Sequence, residues 1–203
     1  MYAVVENNNI TQFINYPKSI VIGDVRYPAK IFTLWSKAEK EAVGIYEIET
    51  DSSNYKDANY YINTNEQYSF ANNKVTKSWG TATPKRLEDE NAVDENGDAI
   101  LEDGVQVINY GLKTEKKRIV KQQASGLLAP TDWYVVKASE VQGYTIPTAI
   151  STFRAEVRTK SNEMETMIDA CTTVDELKAL YEYTEQQDGT ITRPLPEFPK
   201  EVI

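Results

Sequence analysis

Residues 147–170, PTAISTFRAEVRTKSNEMETMIDA, decide the fold of the second half of this chain. Residues spaced three, four or seven positions apart lie on one face of an α-helix, because the helix turns once every 3.6 residues. Pro147 suits a helix start, since proline lacks an N–H and its φ angle is already helical. We therefore predict an amphipathic helix of about 23 residues. Its apolar face would consist of Ile150, Phe153, Val157, Met164 and Ile168.

Two further helices are predicted around this one. The apolar positions of residues 114–124 recur with helical spacing, and this helix is expected to end near Gly126. Thr173 and Glu176 form the S/T-x-x-E pattern of a capping box, which predicts a helix beginning there. The segment 129–133 is expected to be a loop.

The first half of the chain has short alternating runs that favour β-strands. Residues 2–5 and 10–14 flank an asparagine-rich turn and predict a β-hairpin. Further runs lie within residues 60–79, where Asn72-Asn73 is a plausible turn. A capping box predicts one short helix at residues 37–43, ended by a glycine.

These patterns predict an α+β protein, with a β-hairpin-rich N-terminal part that has one short helix and a C-terminal part of about three helices. The predicted domains are a β-rich docking domain at 1–112, a helical domain at 113–190 and an extended proline-rich tail at 191–203.

An acidic stretch lies between these parts. Residues 86–103 contain eight carboxylates and one base, and Asn96-Gly97 stands in the middle. Asn-Gly between apolar residues strongly indicates a tight hairpin turn. We expect an exposed acidic hairpin, whose role the sequence leaves open.

Composition excludes several classes of function. The chain has 203 residues, with 22 basic and 31 acidic groups and a net charge of -9, so it lacks the long-range attraction that nucleic-acid or anionic-membrane binding needs. It contains no His, which excludes Ser-His-Asp and Cys-His catalysis and most zinc sites. Its one cysteine, Cys171, is expected to be a buried apolar residue. We predict no enzyme activity, cofactor or metal, and a cytoplasmic location.

Six side chains are candidates for binding a protein partner. Lys117 and Lys121 belong to a basic row that could bind an acidic partner or form a solvated helix face. Arg154 and Arg158 are one helical turn apart and could clamp a carboxylate or form salt bridges within the chain, where Glu156 and Glu163 are near. The other two candidates are Asp132 and Trp133. We expect Trp133 to pack in a core with Phe153, Val157, Ile168 and Leu177.

The segment 121–133, KQQASGLLAPTDW, is followed by Ile146-Pro147 and by residues 153–158, FRAEVR. This order of motifs resembles the bacteriophage tail assembly chaperone-like domain, over about residues 113–184. Members share a basic helix, a Leu-Leu pair before Asp-Trp, a loop, and a helix with an aromatic-Arg pair followed by a second Arg.

The resemblance implies a non-catalytic phage tail protein that binds a tail fibre or adhesin and aids its assembly or attachment. Its location would then be the host cytoplasm during assembly, and the virion tail if the protein is retained. The alternative is a permanent virion component, such as a tail or fibre adaptor subunit. Neither alternative specifies the partner's identity or the oligomeric state.

Overall fold

A computed structural model describes residues 1–200 of the chain. The chain forms two compact units, and the first is Met1–Pro84. The predicted α+β class is confirmed, since most strands lie in the first half and the long helices in the second.

The second unit begins at Lys85, earlier than the predicted domain start at residue 113. The sequence analysis placed the boundary where the secondary structure changes. Residues 85–111 nevertheless belong to the helical unit, because the N–H groups of Leu112 and Lys113 donate to the carbonyls of Arg86 and Leu87 at 3.0 and 3.1 Å.

The elements of the first unit follow one another closely. They are β1 Tyr2–Glu6, β2 Asn9–Ile14, β3 Ile20–Ile22, β4 Val25–Tyr27, α1 Ile31–Leu34, α2 Lys37–Ala42, β5 Ile45–Thr50, β6 Tyr61–Ile62, β7 Gln67–Ala71, β8 Lys74–Ser78 and β9 Thr83–Pro84. The hairpin of β1 and β2 and the capping box of α2 are confirmed. The short helix α1 was not predicted.

Five of these strands form one curled sheet in the order β2-β1-β5-β8-β7. Strands β5 and β8 are parallel, and the other neighbours are antiparallel. The predicted turn between β7 and β8 is confirmed, because Asn72 and Asn73 have positive φ angles of 51° and 57°. The two edge strands approach each other, with the ring centroids of Phe13 and Tyr68 only 4.5 Å apart.

The sheet of the first unit has an apolar cluster on each face. Successive side chains of a strand point to opposite faces, so Ala3 and Val5 pack with Val75 while Val4 packs on the other side with Ile14. Both clusters are fully or nearly fully buried. The β-rich unit therefore has its own core.

The second unit combines short hairpins with four helices. Its elements are β10 Glu90–Asn91, β11 Leu101–Glu102, β12 Val105–Gln106, β13 Ile108–Asn109, α3 Leu112–Leu128, a 3-10 turn Ala129–Thr131, α4 Asp132–Glu140, α5 Thr148–Ala170, α6 Val174–Ala179, β14 Thr184–Glu185 and β15 Ile191–Thr192.

Helix α5 confirms the predicted 23-residue helix and its buried stripe. It packs along α3, where Phe153 and Val157 form a cluster with Ala124. The predicted cap of α6 by Thr173 and Glu176 is also confirmed. The core of the second unit is thus built mainly by the stripe read from residues 147–170.

Three expectations for the second unit were wrong. Helix α3 runs past Gly126 to Leu128, since one glycine costs a helix only about 1 kcal/mol. The expected loop at 129–133 is a 3-10 turn that leads into the unpredicted α4. The expected core residue Trp133 lies on α4 with 51% of its surface exposed.

Part of the predicted proline-rich tail pairs with or packs on the rest of the second unit, and is not extended without contacts. Ile191 and Thr192 form β15, which pairs with β14. Leu195 is buried, and its N–H donates to the carbonyl of Leu180 at 3.0 Å. The end of the predicted tail, residues 201–203, lies outside the described residues.

Candidate functional site

The basic row of α3 faces carboxylates of α5. Lys117 Nζ lies 2.6 Å from Asp169 Oδ1, and Lys121 Nζ lies 3.2 Å from Glu165 Oε2. The hydrogen bond to Asp169 raises the pKa of the Lys117 ammonium above its ordinary value. These two candidate partner-binding residues therefore stabilise the packing of two helices within the chain, and any role toward a partner stays a prediction.

Arg154 of α5 is buried and joins three segments of the second unit. Its guanidinium donates to the Leu128 carbonyl at 2.9 Å and to Thr131 Oγ1 at 2.6 Å. It also donates to Asp132 Oδ1 at 2.7 Å. One side chain of α5 thus contacts the end of α3, the 3-10 turn and the start of α4.

The two arginines of the predicted pair have different environments. The salt-bridge partner of Arg154 is Asp132, not the neighbouring Glu156 or Glu163 that the sequence suggested. Arg158 is exposed, and its guanidinium donates to the Arg154 carbonyl at 3.3 Å. Among the arginines of residues 85–200, Arg158 alone has no carboxylate within salt-bridge distance.

Arg158 lies in an open groove between α3 and α5, with a cavity volume of about 420 Å³. Ala124 and Leu128 contribute the apolar part of its lining. The polar part of the lining is Lys121, Ser125, Asp132, Arg154, Arg158, Ser161 and Asn162. Since hydrogen-bond donors predominate and Arg158 has unused N–H groups, the groove suits a carboxylate or another anion.

Helix α4 begins beside this groove and has no buried residue. Trp133 and Val136 are each 51% exposed and lie three residues apart, so they share a helix face. The Trp133 ring packs on that of Tyr134, with centroids 3.8 Å apart. An exposed aromatic and aliphatic face of this kind is typical of a protein contact surface.

Sequence analysis identified Trp133 but missed Val136 and the helix that carries both. The signal was weak, because a helix of nine residues with apolar side chains on several faces has no clear stripe. The available signs of a helix start were Thr131 at the N-cap position and the acidic Asp132 in the first turn. Ser125 and Asn162 of the groove have no sequence signal at all.

Two other side chains with possible chemical roles, Cys171 and Asp94, are buried or hydrogen-bonded within the chain. Burial raises the pKa of the Cys171 thiol, which keeps it in the less reactive protonated form. The Asp94 carboxylate accepts backbone N–H groups from Asp98 and Asn96 at 3.0 and 2.8 Å, which lowers its pKa. Within residues 1–200, no three side chains of metal-binding type cluster together. No helix in the same range has the length and apolarity to span a membrane.

Comparison with known proteins finds no significant match for this chain. The chain matches no protein-family model, and no curated protein or solved structure is significantly similar to it.

Proposed function

We propose that this chain is a non-catalytic bacteriophage tail protein that binds a tail fibre or adhesin and aids its assembly or attachment. The observation that carries the proposal is the exposed apolar face of α4, formed by Trp133 and Val136 next to the Arg158 groove. The motif resemblance over residues 113–184 supports a tail protein as the partner. The lack of histidine and the burial of Cys171 support binding rather than chemistry.

Trp133 is the expected anchor of this contact. Interface tryptophans are often hot spots, whose truncation costs about 2 kcal/mol or more of binding free energy. Half of the Trp133 surface is already in water in the free chain, and α4 buries no residue. Trp133→Ala should therefore weaken partner binding while leaving the unfolding transition of the free protein nearly unchanged.

The test is co-expression of the tagged chain with each fibre and adhesin of its phage, followed by affinity capture. We expect one of them to be retained by wild type, and its Kd to rise about 30-fold in Trp133→Ala. Leu34→Ala is the matched control, since Leu34 is a 75% exposed apolar residue of the other unit. Retention of none of these proteins, or equal Kd values for wild type and Trp133→Ala, would contradict the proposal.

The composition of purified virions distinguishes a transient assembly factor from a permanent virion component. A factor that acts only during assembly should be missing from the particles, whereas an adaptor subunit should be present in fixed ratio to the fibre. Quantitative mass spectrometry of the particles measures this ratio.

A further inference from the structure

The second unit carries an acidic arm, which we define as residues 93–105. Every residue of the arm is exposed. No Lys or Arg occurs anywhere in residues 87–112, so nothing on the arm neutralises its carboxylates. The Asp94 carboxylate accepts backbone hydrogen bonds within its own turn. No other carboxylate of the arm has an ion pair within residues 1–200. These free carboxylates are Glu95, Asp98, Glu102 and Asp103.

The arm also exposes large apolar side chains. Leu101 and Val105 lie on the paired strands β11 and β12 and are 58% and 69% exposed. They flank the turn that contains Asp103 and Gly104. The tip of this hairpin therefore presents carboxylates and aliphatic groups side by side.

The groove between α3 and α5 has the complementary character. Arg158 offers N–H groups without a carboxylate partner, whereas the other charged side chains of the lining already have ion pairs within the chain, Lys121 with Glu165 and Arg154 with Asp132. Ala124 and Leu128 provide an apolar floor. A carboxylate flanked by aliphatic groups therefore matches the groove in charge and in polarity.

The arm of the same chain leaves this groove open. The arm is joined to the N-terminal end of α3, where Gly111 N–H donates to Asp89 Oδ1 at 2.7 Å. Ser125 in the groove is 14 residues further along that helix, which corresponds to about 21 Å. None of the residues that line the groove belongs to the arm, so the groove is accessible to an arm from another molecule.

We propose that the acidic arm of one molecule binds in the Arg158 groove of a second copy of this chain. A carboxylate of Glu102 or Asp103 accepts hydrogen bonds from the Arg158 guanidinium, which can donate two in parallel. Val105, which pairs directly with Glu102 and therefore lies on the same face of the hairpin, then covers the apolar floor of the groove. The groove and the arm are different surfaces, so each molecule can contribute one of each to separate contacts.

Sedimentation velocity over a concentration series tests self-association of the full chain. Wild type is expected to form complexes of two or more chains as its concentration rises. Arg158→Glu removes the groove donor, and the double variant Glu102→Lys with Asp103→Lys reverses the arm. Each variant alone should lower the association constant by about tenfold or more, as for loss of one partner of an interfacial charge pair.

Mixing the two variants gives the decisive measurement. The arm of Arg158→Glu and the groove of the arm variant are both intact, so an equimolar mixture should form a complex of two chains. Arg118→Glu is a matched control on the exposed surface of α3 outside the groove and should associate like wild type. Circular dichroism of each variant verifies that it is folded.

Three results with wild type and the groove and arm variants would overturn the proposal. They are a wild-type protein that stays monomeric at every concentration, an Arg158→Glu variant that associates like wild type, and a mixture that fails to form the two-chain complex. Trp133→Ala should keep self-association, which separates this contact from the proposed partner surface on α4. Loss of self-association in Trp133→Ala would place the contact on α4 and likewise overturn the proposal.

Discussion

Replacing Arg154 with Met should destabilise the second unit strongly while leaving the shape of the buried stem nearly unchanged. The Arg154 side chain is 8% exposed and donates hydrogen bonds to Leu128, Thr131 and Asp132. Hydrogen bonds to a charged group contribute about 1.5–3 kcal/mol each. The bond to Asp132 is discounted, because that carboxylate is 60% exposed and solvent screens it.

The two remaining bonds set the expected magnitude. We expect Arg154→Met to lower the free energy of unfolding of the second unit by about 3 kcal/mol. With a urea dependence of about 2 kcal/mol per molar, the unfolding midpoint should fall by about 1.5 M. Far-UV circular dichroism follows this transition, since the long helices α3 and α5 belong to the second unit.

Two companion variants make the test specific. Arg158→Met removes the same charge one helical turn further along α5, but from an exposed residue, and should change stability by less than about 0.5 kcal/mol. Arg154→Lys keeps the charge and loses the planar fork, so it should recover only part of the lost stability. Equal urea midpoints for Arg154→Met and Arg158→Met would refute the role assigned to Arg154.

Three further predictions follow from the second unit. Gly111→Ala should lower the free energy of unfolding of the second unit by about 1–3 kcal/mol, because a Cβ at Gly111 would lie 2.4 Å from the Glu88 carbonyl. An unchanged melting curve would contradict this. Cys171 should react slowly with a thiol reagent in the native protein and rapidly in urea, since burial raises its pKa; fast labelling of the folded chain would show that the thiol is accessible. Hydrogen bonds from Thr172 lower the pKa of Glu176 below its ordinary 4.5, so the stability this cap provides is present above that pH and is lost as the pH falls through the lowered pKa. Glu176→Gln should flatten the acid limb of the stability profile, and coincident profiles would count against this assignment.

Elements with strong local signals were predicted well from the sequence. Helix α5 has its proline start and its apolar stripe within its own residues, and both capping boxes depend on side chains three positions apart. The Asn72-Asn73 turn likewise depends on residues that tolerate positive φ angles. Each of these signals is local, so no knowledge of the remaining chain is needed to interpret it.

Elements held by distant contacts were predicted poorly. Helix α4 has no apolar stripe, and its first residue, Asp132, is fixed by Arg154, 22 positions away. Trp133 was placed in the core because the expected loop geometry and helix period would bring it toward the apolar face, but it lies in the first turn of a helix that has no buried residue. The sequence suggested the nearby Glu156 and Glu163 as salt-bridge partners of Arg154. In the structure its partner is the more distant Asp132.

The sequence by itself determined the net charge, the absence of histidine, the α+β class and the long amphipathic helix, because composition and periodicity belong to the chain in any conformation. Tertiary structure decided which charges are neutralised within the molecule. Packing of α3 on α5 joins Lys117 to Asp169, 52 positions apart, and leaves the Arg158 guanidinium exposed in a groove. These outcomes depend on how two helices align in space, which residue spacing along either helix does not specify.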